Sequence, residues 1–265
     1  MKKYFLFLLM GLLFCSWNAQ ARSSVLLDSA YMEDVTVDEL KELIDDGENP
    51  FIANADGDTP LHMASMSNEN PEVIKTLVNY GLDVNFKNNE GYTPLHYAAL
   101  NRNSVVVEML IRCGASVNAR DEIGRTPLML ASLVKNLEVV KILIKHGADV
   151  NATAESGFTV LHSANMPPLG IPKLNLEIIE TLIKHGADVN AKARGNLTPL
   201  IVVVWENNIK IPEAVELLIK NGADVKIKDS TGKTALDYYR DNENIKHHPK
   251  YWDVLDLMYQ KMKEK

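Results

Sequence analysis

A chain of 265 residues, 46% hydrophobic and 24% charged, can form one or two ordinary domains or one elongated array. Its formal net charge is −7, with lysines and arginines scattered rather than gathered in a stripe, so it lacks the basic footprint of a nucleic-acid binder. Its two cysteines exclude a disulfide framework.

In chain order, residues 1–21 read as a signal peptide. Lys2 and Lys3 form a positive start, Tyr4 to Cys15 is an almost unbroken apolar run, and Ala19-Gln20-Ala21 is a small-residue site that releases a chain beginning at Arg22. The run is short for a stable anchor, so no lasting membrane insertion is expected after cleavage. Its compact, Lys-led form resembles a bacterial secretion signal and places the protein in the periplasm or outside the cell. Cleavage takes the net charge from −7 to −9 and leaves Cys113 as the one thiol, without a disulfide partner.

Residues 22–56 read as an N-terminal capping half-repeat, with Leu40, Leu43 and Ile44 as its apolar stripe before Gly47. Residues 57–233 hold the central repeats. A Thr-x-Leu element starts at Thr59, Thr93, Thr126, Thr159, Thr198 and Thr234, at steps of 34, 33, 33, 39 and 36 residues. A second marker begins at Gly81, Gly114, Gly147, Gly186 and Gly222 and keeps the same register. Each Thr caps a first helix, and a Pro following it takes a position that needs no hydrogen bond. Small residues in the first helix, such as Ala98-Ala99 and Ala131-Ser132, allow close neighbours. The second helix carries an apolar stripe, Val106, Val107, Leu110 and Ile111 in one unit and Val139, Val140, Leu143 and Ile144 in the next. The glycines sit at left-handed helix ends. The two longer steps place extra residues at 166–172 and near 207–211, between the helices of a unit. Residues 234–265 read as a C-terminal capping repeat with a second helix near Tyr251 to Lys263.

Thr59-Pro60-Leu61-His62 and Thr93-Pro94-Leu95-His96 match the TPLH signature of the ankyrin-repeat family, and the other four units depart from it at one or two positions. The chain resembles that family from about 35 to 245. The resemblance implies an all-α solenoid of stacked helix-turn-helix units joined by β-hairpin-like turns. It also implies a protein-binding role on a concave face made by hairpin tips and first helices.

No spacing in the chain carries catalytic chemistry, so no enzyme, cofactor or metal is expected. His62, His96 and His162 recur with the repeat and read as buried hydrogen-bonding groups between units. His247-His248 shows no acidic or cysteine partner at ligand spacing. The acidic stretches at 45–48 and 54–58 read as solvated turns. The informative positions lie just before each repeat Thr and seven after it. They give an apolar band of Tyr92, Leu100, Leu133, Phe158, Met166, Leu197 and Trp205, with Arg125 inside it, as the partner-binding surface. The expected function is a monomeric, non-catalytic scaffold for one protein partner. Other expectations are a toxin-neutralising protein, a secreted effector acting on a host protein, or an envelope-anchored structural protein. The acidic balance leans toward a basic partner.

Overall fold

The computed structural model describes residues 25–101, 103–166, 174–205 and 210–264. The signal peptide and most of the extra residues at 166–172 and 207–211 lie outside them. Among the described residues there are fourteen α-helices and no strand beyond isolated bridges such as Thr153 to Thr159.

The helices come in pairs: α1 (Ser29–Asp34) and α2 (Val37–Asp45), α3 (Pro60–Ser67) and α4 (Pro71–Asn79), α5 (Pro94–Leu100) and α6 (Ser104–Arg112), α7 (Pro127–Leu133) and α8 (Leu137–Lys145), α9 (Val160–Asn165) and α10 (Leu176–Lys184), α11 (Pro199–Trp205) and α12 (Ile211–Lys220), α13 (Ala235–Asp241) and α14 (Tyr251–Lys263). First helices pack on first helices and second on second, in order, which is a solenoid. We number the six units that begin at Thr59, Thr93, Thr126, Thr159, Thr198 and Thr234. Both longer steps fall between the helices of a unit, as the register requires.

Local chemistry fixes each unit. In unit two, Thr93 and His96 form a reciprocal cap: the Thr93 N–H donates to His96 Nδ1 at 3.1 Å, with Pro94 at the first helical position. Asn103 starts α6 by accepting the Val105 N–H at 3.0 Å. The helix ends at Gly114, whose φ of +95° suits a residue without Cβ. There the Gly114 and Ala115 N–H groups bond back to Ile111 and Leu110 at 3.0 and 2.9 Å. Ala98 and Ala99 are fully buried where α3 and α7 flank α5, and Val106, Val107 and Leu110 are fully buried on α6. Full burial of such a Val or Leu contributes about 1.5–3 kcal/mol, and no isolated pair of helices achieves it.

A further device joins consecutive turns. Asn85 accepts the Ser116 N–H at 2.7 Å and donates to the Gly114 carbonyl at 3.1 Å. Asn118, Asn151 and Asn190 repeat the same pair of bonds one unit further on. Asn151 is therefore committed to holding the stack together.

The ends close differently. At the N-terminus two short helices stand where a half-unit was expected, with Thr36 and Glu39 capping α2 and Leu40 buried beneath. Asn68 ties this segment to unit one by donating to the Met32 and Val35 carbonyls at 2.7 and 3.1 Å. At the C-terminus Tyr239 and Tyr251 stack at 5.2 Å, and α14 buries Val254, Leu255 and Met258. Its outer side carries Trp252, 67% exposed.

Candidate functional site

The tips of the hairpin-like turns are bound into one row. The Asn89 N–H donates to Asp56 O, Glu122 to Glu90 O, Glu155 to Ile123 O, Arg194 to Ser156 O and Ser230 to Gly195 O, at 2.7–2.9 Å. In units one to three and unit six an Asn or Asp side chain folds each tip. Asp121, for example, accepts from the Ile123 and Arg125 N–H groups at 3.1 and 2.7 Å. Asp58 is a correction to the expectation of solvated turns. It is buried, accepting from Asn88 Nδ2 at 2.7 Å and the Tyr97 hydroxyl at 3.2 Å.

Behind the tips, the signature histidines join units. Nε2 of His62 bonds the Tyr92 carbonyl at 3.1 Å, that of His96 the Arg125 carbonyl at 3.2 Å, and that of His162 the Leu197 carbonyl at 2.9 Å. A ring that accepts at Nδ1 from its own Thr N–H and donates at Nε2 to a carbonyl must be neutral. Burial enforces this. It lowers the pKa of all three rings, to about 4 for His96. These histidines are structural ties, not ligands.

Between units three and four the same face opens into a groove of about 550 Å³. Leu133 and Met129 on α7, Phe158 and Ile123 from the tips, and Met166 at the end of α9 make its apolar wall. Arg125, Arg194 and Glu155 stand at its polar side. The Arg125 guanidinium is held by Nε donating to Asp121 Oδ2 at 2.6 Å and by a hydrogen bond to the Tyr92 hydroxyl, and it lies 5.4 Å from the Tyr92 ring centroid. The structure thus brings Arg125, Leu133, Phe158 and Met166 together, with Tyr92 joined through Arg125. It leaves the other three expected residues outside the groove. Leu100 is exposed at the end of α5, Leu197 packs half-buried against the core, and Trp205 stands 50% exposed, edge-on to Tyr238 at 5.5 Å.

Sequence reasoning missed part of this site. Met129 occupies the slot that holds His in units one, two and four, and Ala154 replaces the Asn or Asp that folds other tips; both face the groove. Lys135 was not singled out either. Its backbone is left-handed at φ +61°, and its Nζ donates to the Ala164 and Met166 carbonyls at 2.6 and 2.5 Å, holding the end of α9.

His248 has an acidic neighbour that spacing did not reveal, Glu213 Oε1 on α12 at 3.4 Å from its Nε2. No group of three metal-ligating side chains occurs among the described residues. Cys113 is half-buried at the end of α6, and burial pushes its thiol pKa up. No described helix is long and apolar enough to cross a membrane.

A family model for ankyrin repeats in three copies matches residues 29–121 and 106–193, and one for many copies matches 182–238. A search of curated proteins found no match.

Proposed function

Because the chain belongs to the ankyrin-repeat family, whose repeats are generic protein-interaction modules, we propose that it is a non-catalytic scaffold that binds one protein partner on the face made by its tips and first helices. The groove between units three and four carries this reading. It sets Phe158, Met166 and Leu133 beside a fixed guanidinium, the side-chain types that dominate protein–protein binding energies. The Lys-led apolar segment ending in Ala19-Gln20-Ala21 supports export, so the partner is sought in the periplasm or outside the cell.

The test is capture from a periplasmic extract and from culture medium, comparing the protein with its Phe158→Ala/Trp205→Ala variant. A partner retained by the first and lost by the second, with melting temperatures within a few degrees, is the expected result. Equal capture by both proteins would refute the placement of the site. N-terminal sequencing of the protein from its own cells should find Arg22 first; an intact Met1 would refute export by cleavage.

A further inference from the structure

The tips differ in charge along the row. In the first four, the exposed side chains of Asp56, Glu90, Glu122 and Glu155 project acid, and counting every ionised residue there gives six carboxylates to three cations. Those cations are engaged. Lys87 donates to the Arg120 carbonyl at 2.8 Å, Arg120 to the Thr153 carbonyl at 2.6 Å, and Arg125 to Asp121. The last two tips reverse the sign, with Lys192, Arg194, Lys228 and Lys233 exposed against the single acid Asp229. That acid is spent internally, accepting from the Tyr238 hydroxyl at 2.6 Å. The side chains of Lys192, Arg194 and Lys228 make no hydrogen bond or ion pair with any described residue.

The backbone bonds between tips fix these charges in order along one edge, and the sign changes between Glu155 and Arg194, which sit on consecutive tips and both line the groove. A partner laid along that edge therefore meets an acidic stretch, an apolar groove and a basic stretch in turn. Resting on the binding face proposed above, we propose that the partner presents an extended segment with separated charge. Its cationic end lies over units one to four, an apolar side chain enters the groove, and its anionic end lies over units five and six. The chain's overall acidity describes one end of the surface and misses the other. Separated charges of this kind fix register and exclude uniformly basic or uniformly acidic competitors.

The experiment uses a displayed library of random 16-residue peptides, selected on the immobilised protein at low salt. Two variants are selected in parallel: Lys192→Glu/Arg194→Glu/Lys228→Glu, whose replaced side chains make no hydrogen bond or ion pair with any described residue, and Phe158→Ala/Trp205→Ala. Peptides enriched on the unaltered protein should carry cations at one end and carboxylates at the other around an apolar centre. They should bind the charge-reversed variant at least tenfold more weakly, and selection on that variant should turn to peptides cationic throughout. Enriched peptides with one sign of charge, or unaffected by the reversal, would overturn the separated-charge proposal while leaving the groove in place if the Phe158/Trp205 variant still fails to bind them. Enrichment that survives in that variant would overturn the binding face itself, and no enrichment at all would overturn both.

Discussion

The three neutral histidines make the stack sensitive to acid in a window that belongs to them. His96 is fully buried, edge-on to the Tyr92 ring at 5.4 Å, with Asp121, Lys87 and Arg125 around it, and burial holds its pKa at about 4 against 6.5 in an unfolded chain. A depressed folded value means that the unfolded chain binds the proton first. The stabilisation is complete above pH 6.5 and is lost as pH falls toward 4. For His96 alone the loss is about 2 kcal/mol by pH 5, rising to about 3 kcal/mol below pH 4. His62 and His162 shift the same way and add to it. The carboxylates act lower. Asp229 is raised by its burial, but hydrogen bonds from Tyr238 and Thr231 overcome this and bring it to about 2, so its share is lost only below 3.8. The perturbation is His96→Gln, which keeps a group able to accept the Thr93 N–H but removes the titration. Urea unfolding at pH 7.5 should show a cost of about 1–2 kcal/mol, mainly from losing the bond to the Arg125 carbonyl. The further loss between pH 7.5 and pH 5 should shrink by about 2 kcal/mol relative to the unaltered protein. An unchanged pH dependence would place the protons taken up on unfolding on other groups and refute the assignment.

Two other stability predictions separate local causes. Asn118→Ala removes the bonds to Asp149 N and Gly147 O, at 2.8 and 3.0 Å, and should lower stability by about 1–2 kcal/mol in urea titration. A cost within about 0.3 kcal/mol would mean that the Asn bridges are decoration. Gly91→Ala and Gly114→Ala both demand a left-handed alanine, at φ of +78° and +95°. Only at Gly91 does the new Cβ meet backbone, 2.7 Å from the Glu122 nitrogen, whereas nothing lies within 4 Å of Gly114. The first should therefore melt well below the second, which carries the backbone cost alone, about 1 kcal/mol. Equal melting temperatures would show that the tip row yields.

Much of the stack was legible because its causes are local. The Thr-Pro start, the apolar stripe of the second helix and the terminal Gly each act within a few residues, so their recurrence at steps of 33 to 39 residues marks the helix pairs and the loop positions. The role of the histidines followed from their recurrence. What the sequence hid depends on neighbours one unit away. The Asn bridges, the partner of Asp58 and the reach of Lys135 to α9 join residues about 30 apart, and no pattern within one unit marks them. The expected apolar band was indexed by position alone, and position does not say how far a side chain is drawn inward. Leu197 packs against the core while Trp205, seven residues after its Thr, stays half-exposed.

The repeat departs from its own rule at two junctions, one of which holds the groove. The histidine tie joins units one to two, two to three and four to five. At the other two junctions the slot holds Met129 and Ile201, which cannot reach across as donors. The first of these junctions contains the groove with Phe158 and Met166; the second carries Trp205 against Tyr238. An apolar residue in the slot gives up a bond that orders the adjoining carbonyl, and both Met129 and Ile201 are buried in its place. The loss is partly offset at the groove, where Lys135 grips the end of α9 and Arg120 spans two tips. Arg120 is not peculiar to this junction, since Lys87 makes the same kind of tip-to-tip bond where the histidine tie is present, so the reach of Lys135 to the end of α9 is the contact that sets the groove junction apart.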